Sequence, residues 1–217
     1  FALTQQLKWP HRPADWQQML QLGNGIVAQE NGVLTGTILC WRWGSDYATI
    51  GLVIVADAAQ GRGIGKQLVL AALDKLAGSN VRLHATEAGK GLYEKLGFVA
   101  TGRVEQHQCR ELATLPAEQP AAGQQLRDAH QQDAATLAAL DTQASGQQRA
   151  RLIDELLTRG ERVVLLEQNG EQAGFAALRR FGHGYTIGPI VAQTLSQAKV
   201  LISELTRCLQ GQFVRID

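Results

Sequence analysis

The chain repeats itself. The segment IVAQENGVLTGTILCWRWGSDYATIGLVIV (26–55) matches VVLLEQNGEQAGFAALRRFGHGYTIGPIVA (163–192). Asn31-Gly32 recurs as Asn169-Gly170, Gly36 as Gly174, Trp43-Gly44 as Phe181-Gly182 and Tyr47 as Tyr185, each pair 138 residues apart. Chance produces one matched turn far more readily than a turn, a glycine, an aromatic-glycine pair and a tyrosine at one spacing. Farther on, Val81 of VRL matches Val214 of VRI at a spacing of 133, so the second copy is five residues shorter between Tyr47 and Val81. A repeat on this scale constrains the fold before any single residue does.

Each copy has a readable pattern. GIVAQ and VLTGTILCW are apolar, β-rich runs around Asn31-Gly32, a pair that tolerates the positive φ of a tight turn. YATIGLVIV is a third strand, apolar enough to be buried on both faces. Ile64, Leu68, Ala72 and Leu76, with Val69 and Leu73 beside them, predict a helix over about 64–77 that stops at Gly78. VRLHA then reads as a short strand. The second copy has the equivalent stripe Ala198, Leu201, Ile202, Leu205 and Leu209, with Gly211 as the stop. Helical patterns open each copy, at 13–23 and within 133–160. The expected class is α/β (α+β), two mixed β-sheet units flanked by helices. ATLPAEQPAAGQQ (113–125) holds two of the five prolines and reads as a linker between domains at 1–112 and 126–217. The chain opens at Phe1 and stops inside an apparent strand, QFVRID, so both ends are expected to be truncated and the second unit incomplete.

Composition narrows the partners. Twenty-one Lys and Arg against 20 Asp and Glu leave a net charge of +1. Coating nucleic acid or an anionic membrane needs clustered excess positive charge, so neither is expected here. No apolar run approaches the roughly 20 residues that span a bilayer, and no basic-then-apolar segment opens the chain. Cys40, Cys109 and Cys208 are odd in number and widely spaced, which fits neither a disulfide framework nor a zinc site. No metal is expected, and a reducing cytoplasm is the default compartment.

The extra residues of the first copy carry its chemistry. It has VADAAQGRGIGKQL (55–68) where the second has VAQTLSQAKVL (191–201). A glycine loop between a buried strand and a helix turns backbone N–H groups outward at the helix N-terminus. Donors there are unpaired and the dipole is positive, so a phosphate group fits. Arg62 and Lys66 add charge. A P-loop is discounted, because Gln60 stands where its first glycine should be and Gln67 replaces the Ser or Thr that holds Mg²⁺. A dinucleotide fingerprint is discounted, because Lys66 occupies the third glycine position and no acidic residue follows on a second parallel strand. Glycines that merely lead into a helix carry an entropic cost without return.

Q-x-x-G-x-G, here Gln60 to Gly65, resembles the pyrophosphate-binding loop of the GNAT superfamily of acetyl-CoA-dependent N-acetyltransferases. TEAGKGLYEKLGF (86–98) is similar to that superfamily's next motif, and one strand separates the two. The resemblance covers about 9–112. The second unit has the same strand order without the loop, so the chain resembles a tandem GNAT protein with a degenerate C-terminal half.

The resemblance implies that Gln60, Gly61, Arg62, Gly63, Ile64, Gly65 and Lys66 bind acetyl-CoA, with backbone N–H groups from about Arg62 to Lys66 holding its pyrophosphate. It implies that Leu52, Val53, Ile54 and Val55 pair with the pantetheine arm, one N–H polarising the acetyl carbonyl. Tyr93 matches the acid that protonates the leaving thiolate; a phenol near pKa 10 can serve a thiolate whose conjugate acid is near 8.5. Its alternative is a helix-end aromatic packed with Leu92, Leu96 and Phe98. Thr86 and Gly89, which the resemblance implies are coenzyme-binding, stand where the superfamily often has Asn and Ala. For the general base, His84 at the strand end has a suitable pKa, and a plain hydrogen-bonded strand-end histidine fits it equally well. Glu87, Glu105 and His107 are alternatives, and Glu30 reads as a solvated turn residue. Trp16 and Trp41 read as core, while Trp43 and Tyr47 are candidates to line an acceptor pocket. Arg151, Arg179, Arg180 and His183 read as a solvated face.

The sequence thus leads to an acetyl-CoA-dependent N-acetyltransferase acting on a primary amine, expected to be a small molecule, by direct ternary-complex transfer, because no cysteine stands in a nucleophile-like context. A homodimer is compatible with the sequence. The rival is a non-catalytic acyl-CoA-binding sensor or interaction module.

Overall fold

Asn31 and Asn169 adopt positive φ (49° and 53°), and Gly32 and Gly170 follow at 79° and 84°. Positive φ at both central residues is the hairpin geometry whose twist matches that of the flanking strands. Around these two turns the computed structural model, which describes residues 1–216, divides into two units, one from Phe1 to Val104 and one from Glu105 onward.

The first unit runs α1 (Ala2–Gln6), α2 (Pro13–Leu22), β1 (Asn24–Glu30), β2 (Val33–Trp43), β3 (Tyr47–Val55), α3 (Ile64–Lys75), β4 (Asn80–Arg82) and α4 (Glu87–Lys95). Its sheet has the order β1-β2-β3-β4, antiparallel except for the parallel β3–β4 pair. Pro13 begins α2, where a missing N–H costs nothing, and the Arg12 amide donates to Asp15 Oδ2 at 2.7 Å to close the cap. The predicted stripe is the buried one: Leu68, Val69 and Ala72 of α3 and Leu76 at its C-cap pack on Ile38, Cys40, Ala48 and Ile50 of the sheet. Burying each Leu or Val contributes about 1.5–3 kcal/mol. A Cβ on Gly36 would sit 2.9 Å from Leu68 Cδ1, and one on Gly174 would sit 2.4 Å from the Val191 carbonyl oxygen. These matched glycines mark close approaches in both copies.

The second unit runs β5 (His107–Cys109), β6 (Gln124–Asp128), α5 (Ala134–Ser145), α6 (Ala150–Arg159), β7 (Arg162–Gln168), β8 (Glu171–Phe181), β9 (Gly184–Val191), α7 (Leu195–Thr206) and β10 (Val214–Ile216). Its sheet order is β5-β10-β9-β8-β7-β6. Val200, Leu201 and Leu205 of α7 cover one face against Val164, Leu166, Ala176 and Ile187. Leu137, Ile153 and Leu156 of α5 and α6 cover the other against Val163, Leu165, Phe175 and Ala177. This is the expected architecture of mixed sheets flanked by helices.

Three details differ from the sequence expectation. β5 pairs with β10, so residues 107–109, assigned by sequence to the first domain, join the second sheet; the second unit begins at Glu105, and the expected linker 113–125 lies within it, its last two residues opening β6. The strand expected in VRLHA covers only Asn80–Arg82. The tyrosine match slips by one: Tyr47 lies opposite Trp43, but it is Gly184, not Tyr185, that lies opposite Phe181. The turn between these strands has three residues in the first unit and two in the second. One of the five missing residues is therefore lost there, before Tyr47, and the others lie in the connection to β10.

Candidate active site

Two features of β3 set up the site. Its parallel pairing with β4 involves only Tyr47, Ala48 and Thr49; from Ile50 to Val55, among the described residues, its strand partner is β2 alone, so its other edge has no neighbouring strand there. Within that stretch two residues, Leu52 and Val53, oppose the single residue Ile38, and Leu52 adopts φ 50°. This is a β-bulge, which re-aims the backbone.

After Val55 the chain makes one 3₁₀ turn at Asp57–Ala59 with Ala59 buried, then enters the glycine loop. Gln60 Nε2 donates to the Val55 carbonyl (3.3 Å) and to Asp57 Oδ1 (3.0 Å), so Gln60 braces the loop from within. Gly61 and Gly63 have φ 74° and 78°, and a Cβ on either would meet nothing within 4 Å. Glycine is thus required there by backbone conformation. Gly63 is the N-cap of α3, and among the described residues no side chain caps this helix end. The first helical bond is Gln67 N–H to the Gly63 carbonyl at 3.1 Å. The amides just before Gln67 have no intrahelical acceptor and sit at the positive end of the dipole. Gln60, Gly61, Arg62, Gly63 and Lys66 are exposed, with Ile64 and Gly65 partly so.

The corresponding place in the second unit is closed. Three residues, 192–194, replace the eight of 56–63. Thr194 Oγ1 accepts the Gln197 N–H at 3.2 Å, and Gln197 Oε1 accepts the Gln193 N–H at 2.9 Å, so α7 is capped by its own lead-in. At the bulge of β9, Pro189 offers no N–H.

α4 lies beside the first turn of α3: a Cβ on Gly65 would stand 3.5 Å from Leu92 Cδ2. Its N-cap is Thr86, whose Oγ1 accepts the Gly89 N–H at 3.2 Å. A Cβ on Gly89 would lie 3.3 Å from Tyr93 Cε2, so Gly89 leaves room for the ring. Tyr93 is half-buried, edge-on to Phe98 with ring centroids 5.9 Å apart, and burial pushes its phenol above the ordinary tyrosine pKa. The side chain therefore stays protonated through neutral pH. His84 is exposed and lies two residues past β4.

The structure corrects two expectations. Trp43 is 8% exposed and its indole donates to Thr49 Oγ1 at 2.8 Å, so it is a packed residue and lines no open pocket; Tyr47 is covered by the Arg82 guanidinium at 4.5 Å. Glu30 is an ion-pair partner: Arg62 Nη1 donates to its Oε2 at 2.9 Å, and Nη2 pairs with Oε1. Nothing local in the sequence marks Glu30, because its partner lies in the loop beyond β3. Trp16 and Trp41 are packing residues as expected, donating to Thr4 Oγ1 and to the Met19 carbonyl. Cys40 is buried and its thiol is pushed up by burial, the opposite of an activated nucleophile.

Residues 21–100 match the model of an acetyltransferase (GNAT) domain, and residues 137–217 match another acetyltransferase (GNAT) domain model. The chain belongs to the GNAT acetyltransferases. Both of its units are GNAT domains. The Bacillus subtilis (strain 168) protein YitH, described as an uncharacterized N-acetyltransferase, is 31% identical over 171 residues, 78% of this chain and 59% of the relative. The chain thus spans about three fifths of that relative's length. The crystal structure of a Pyrococcus horikoshii protein assigned as an acetyltransferase has a TM-score of 0.72 at 23% identity, covering 94% of this chain and 68% of that one. A tandem GNAT protein from the clavulanic acid biosynthesis pathway has a TM-score of 0.55 at 14% identity, covering 88% of this chain and 73% of its own. At these identities the structural likeness is one of fold. Among the described residues no helix is long and apolar enough to cross a membrane, and no group of three or more His, Cys, Asp or Glu is placed to hold a metal ion.

Proposed function

We propose that the first GNAT domain binds acetyl-CoA and moves its acetyl group to a primary amine of a small molecule, by direct transfer within a ternary complex in the cytoplasm. The observation that carries this reading is the contrast between two equivalent helix ends. α3 opens on glycines with outward amides and no side-chain cap among the described residues, while α7 is capped by Thr194 and Gln197. The second domain in this reading binds no donor.

The residues present suit the donor. Backbone N–H groups from Arg62 to Lys66 hold its diphosphate, with Gln60 bracing the loop. The open edge of β3 from Leu52 to Val55 takes the pantetheine arm as a further strand would be taken, and an N–H at the bulge polarises the thioester carbonyl. Bound there, acetyl-CoA supplies the activated acetyl group. Tyr93 gives its proton to the departing thiolate, and His84 takes the proton of the attacking amine. Thr86 fixes the start of α4, and Gly89 leaves room for the Tyr93 ring on that helix. Cys40, the one cysteine of the first unit, is buried, so in this reading the amine attacks the donor directly and no acyl-enzyme is formed. The YitH relative's description as an N-acetyltransferase agrees with this assignment.

The test is a panel of primary amines with acetyl-CoA and a thiol-release readout. Release that depends on an amine and falls in Tyr93→Phe supports the reading. Coenzyme binding with no amine-dependent release would favour a non-catalytic acyl-CoA sensor.

A further inference from the structure

We propose that Glu30 is a positioning residue that competes with the phosphates of coenzyme A for Arg62, and so limits how tightly the coenzyme is held. The proposal rests on the reading of residues 60–66 as the diphosphate cradle. Glu30 ends β1 at the hairpin turn, and Arg62 lies between the two positive-φ glycines of the loop. Both guanidinium Nη atoms engage both carboxylate oxygens, a fork-on-fork pair. The two side chains are 48% and 50% exposed, and at such exposure an ion pair contributes little to fold stability. Its consequence is for the loop. The guanidinium fork suits a phosphate as well as a carboxylate, and the face given to Glu30 is not available to a second anion. The carboxylate also repels an incoming polyanion at a distance that salt screens only in part.

The repeat supplies an independent observation. The residue before the matched turn is Glu30 in the copy with the arginine loop and Gln168 in the copy without it. The acid stands only where there is a loop arginine for it to hold. A competing carboxylate weakens the grip on the product, which carries the same phosphates as the donor, and so favours turnover where release limits the rate.

The experiment is calorimetric titration of coenzyme A into the full chain and its Glu30→Gln, Arg62→Gln and doubly substituted forms, with thermal melts as a folding control. We expect Glu30→Gln to tighten binding roughly three- to tenfold with a slower off-rate and a steeper loss of affinity with salt. Arg62→Gln should weaken binding, and Glu30→Gln should have less than about a twofold effect in the Arg62→Gln background. Unchanged or weaker binding in Glu30→Gln overturns the proposal, as does equal tightening in both backgrounds, because Glu30 would then not act through Arg62. A wild-type chain that binds no coenzyme A overturns the cradle reading itself and this proposal with it.

Discussion

The Thr194 hydroxyl accepts the amide N–H of Gln197 at 3.2 Å and closes the mouth of α7, the helix that occupies in the second GNAT domain the place α3 occupies in the first. Side-chain caps at this position typically contribute about 1 kcal/mol. Thr194→Ala is expected to destabilise the second domain by about 0.5–2 kcal/mol and to leave coenzyme binding unchanged. Chemical denaturation and a binding isotherm on the same variant check both halves of that statement.

At the other helix end the proposed duty of the glycines is different. Gly63 holds φ 78° at the N-cap of α3 with open space where a Cβ would be. An alanine there fits sterically but pays roughly 1–2 kcal/mol to stay left-handed, or it relaxes and turns the amides away. Gly63→Ala should lower coenzyme A affinity by at least about tenfold, with a cost to stability no larger than that left-handed penalty of roughly 1–2 kcal/mol. An isotherm showing unchanged affinity in a folded variant would count against the loop as a binding element.

Tyr93 is assigned the proton that goes to the thiolate. Loss of a positioned general acid typically costs 10²–10⁴-fold, so Tyr93→Phe is expected to lower kcat by about 10²-fold with coenzyme affinity unchanged. Because burial raises the Tyr93 pKa, the alkaline limb it controls lies above the ordinary tyrosine range. The pH–kcat profile should therefore show no loss near pH 7–9 attributable to this phenol. Equal falls in kcat and in coenzyme affinity would instead mark Tyr93 as a packing residue.

Asp133, 8% exposed, accepts both Nη donors of Arg127 (2.9 and 2.8 Å) and the His130 amide (2.8 Å). Hydrogen bonding to Arg127 holds its carboxyl down at about 2. A depressed carboxylate pKa gives stability that is fully present above the unfolded value near 4 and lost as pH falls through the folded value. Denaturation of the second domain followed from pH 5 to pH 2 should show this loss, and Asp133→Asn should flatten it. A pH dependence identical in both proteins would remove Asp133 as its cause.

Much of the fold was legible in the sequence because its signals are local. The Asn-Gly turns, the Leu68–Leu76 stripe and the glycine loop each depend on residues within a few positions of one another. What escaped depends on partners far along the chain. Glu30 looks like any turn residue until β3 and its loop bring Arg62 to it. Residues 107–109 carry no pattern of their own and become a strand only because β10 lies alongside. The Tyr47–Tyr185 match misled because one residue is lost from a turn, and the structural partner of Tyr47 is a glycine with no sequence signal. The glycine loop and its place at a helix start were legible from glycine spacing, whereas the self-capping of α7 required seeing where the Gln197 side chain goes.

The claim that donor binding belongs to one of the two domains is tested most directly by calorimetric titration of coenzyme A into the intact chain. The account expects one coenzyme per chain and the loss of that site when Gly61 and Gly63 are both replaced by valine. A stoichiometry of two, or a site that survives those replacements in a folded protein, would contradict it.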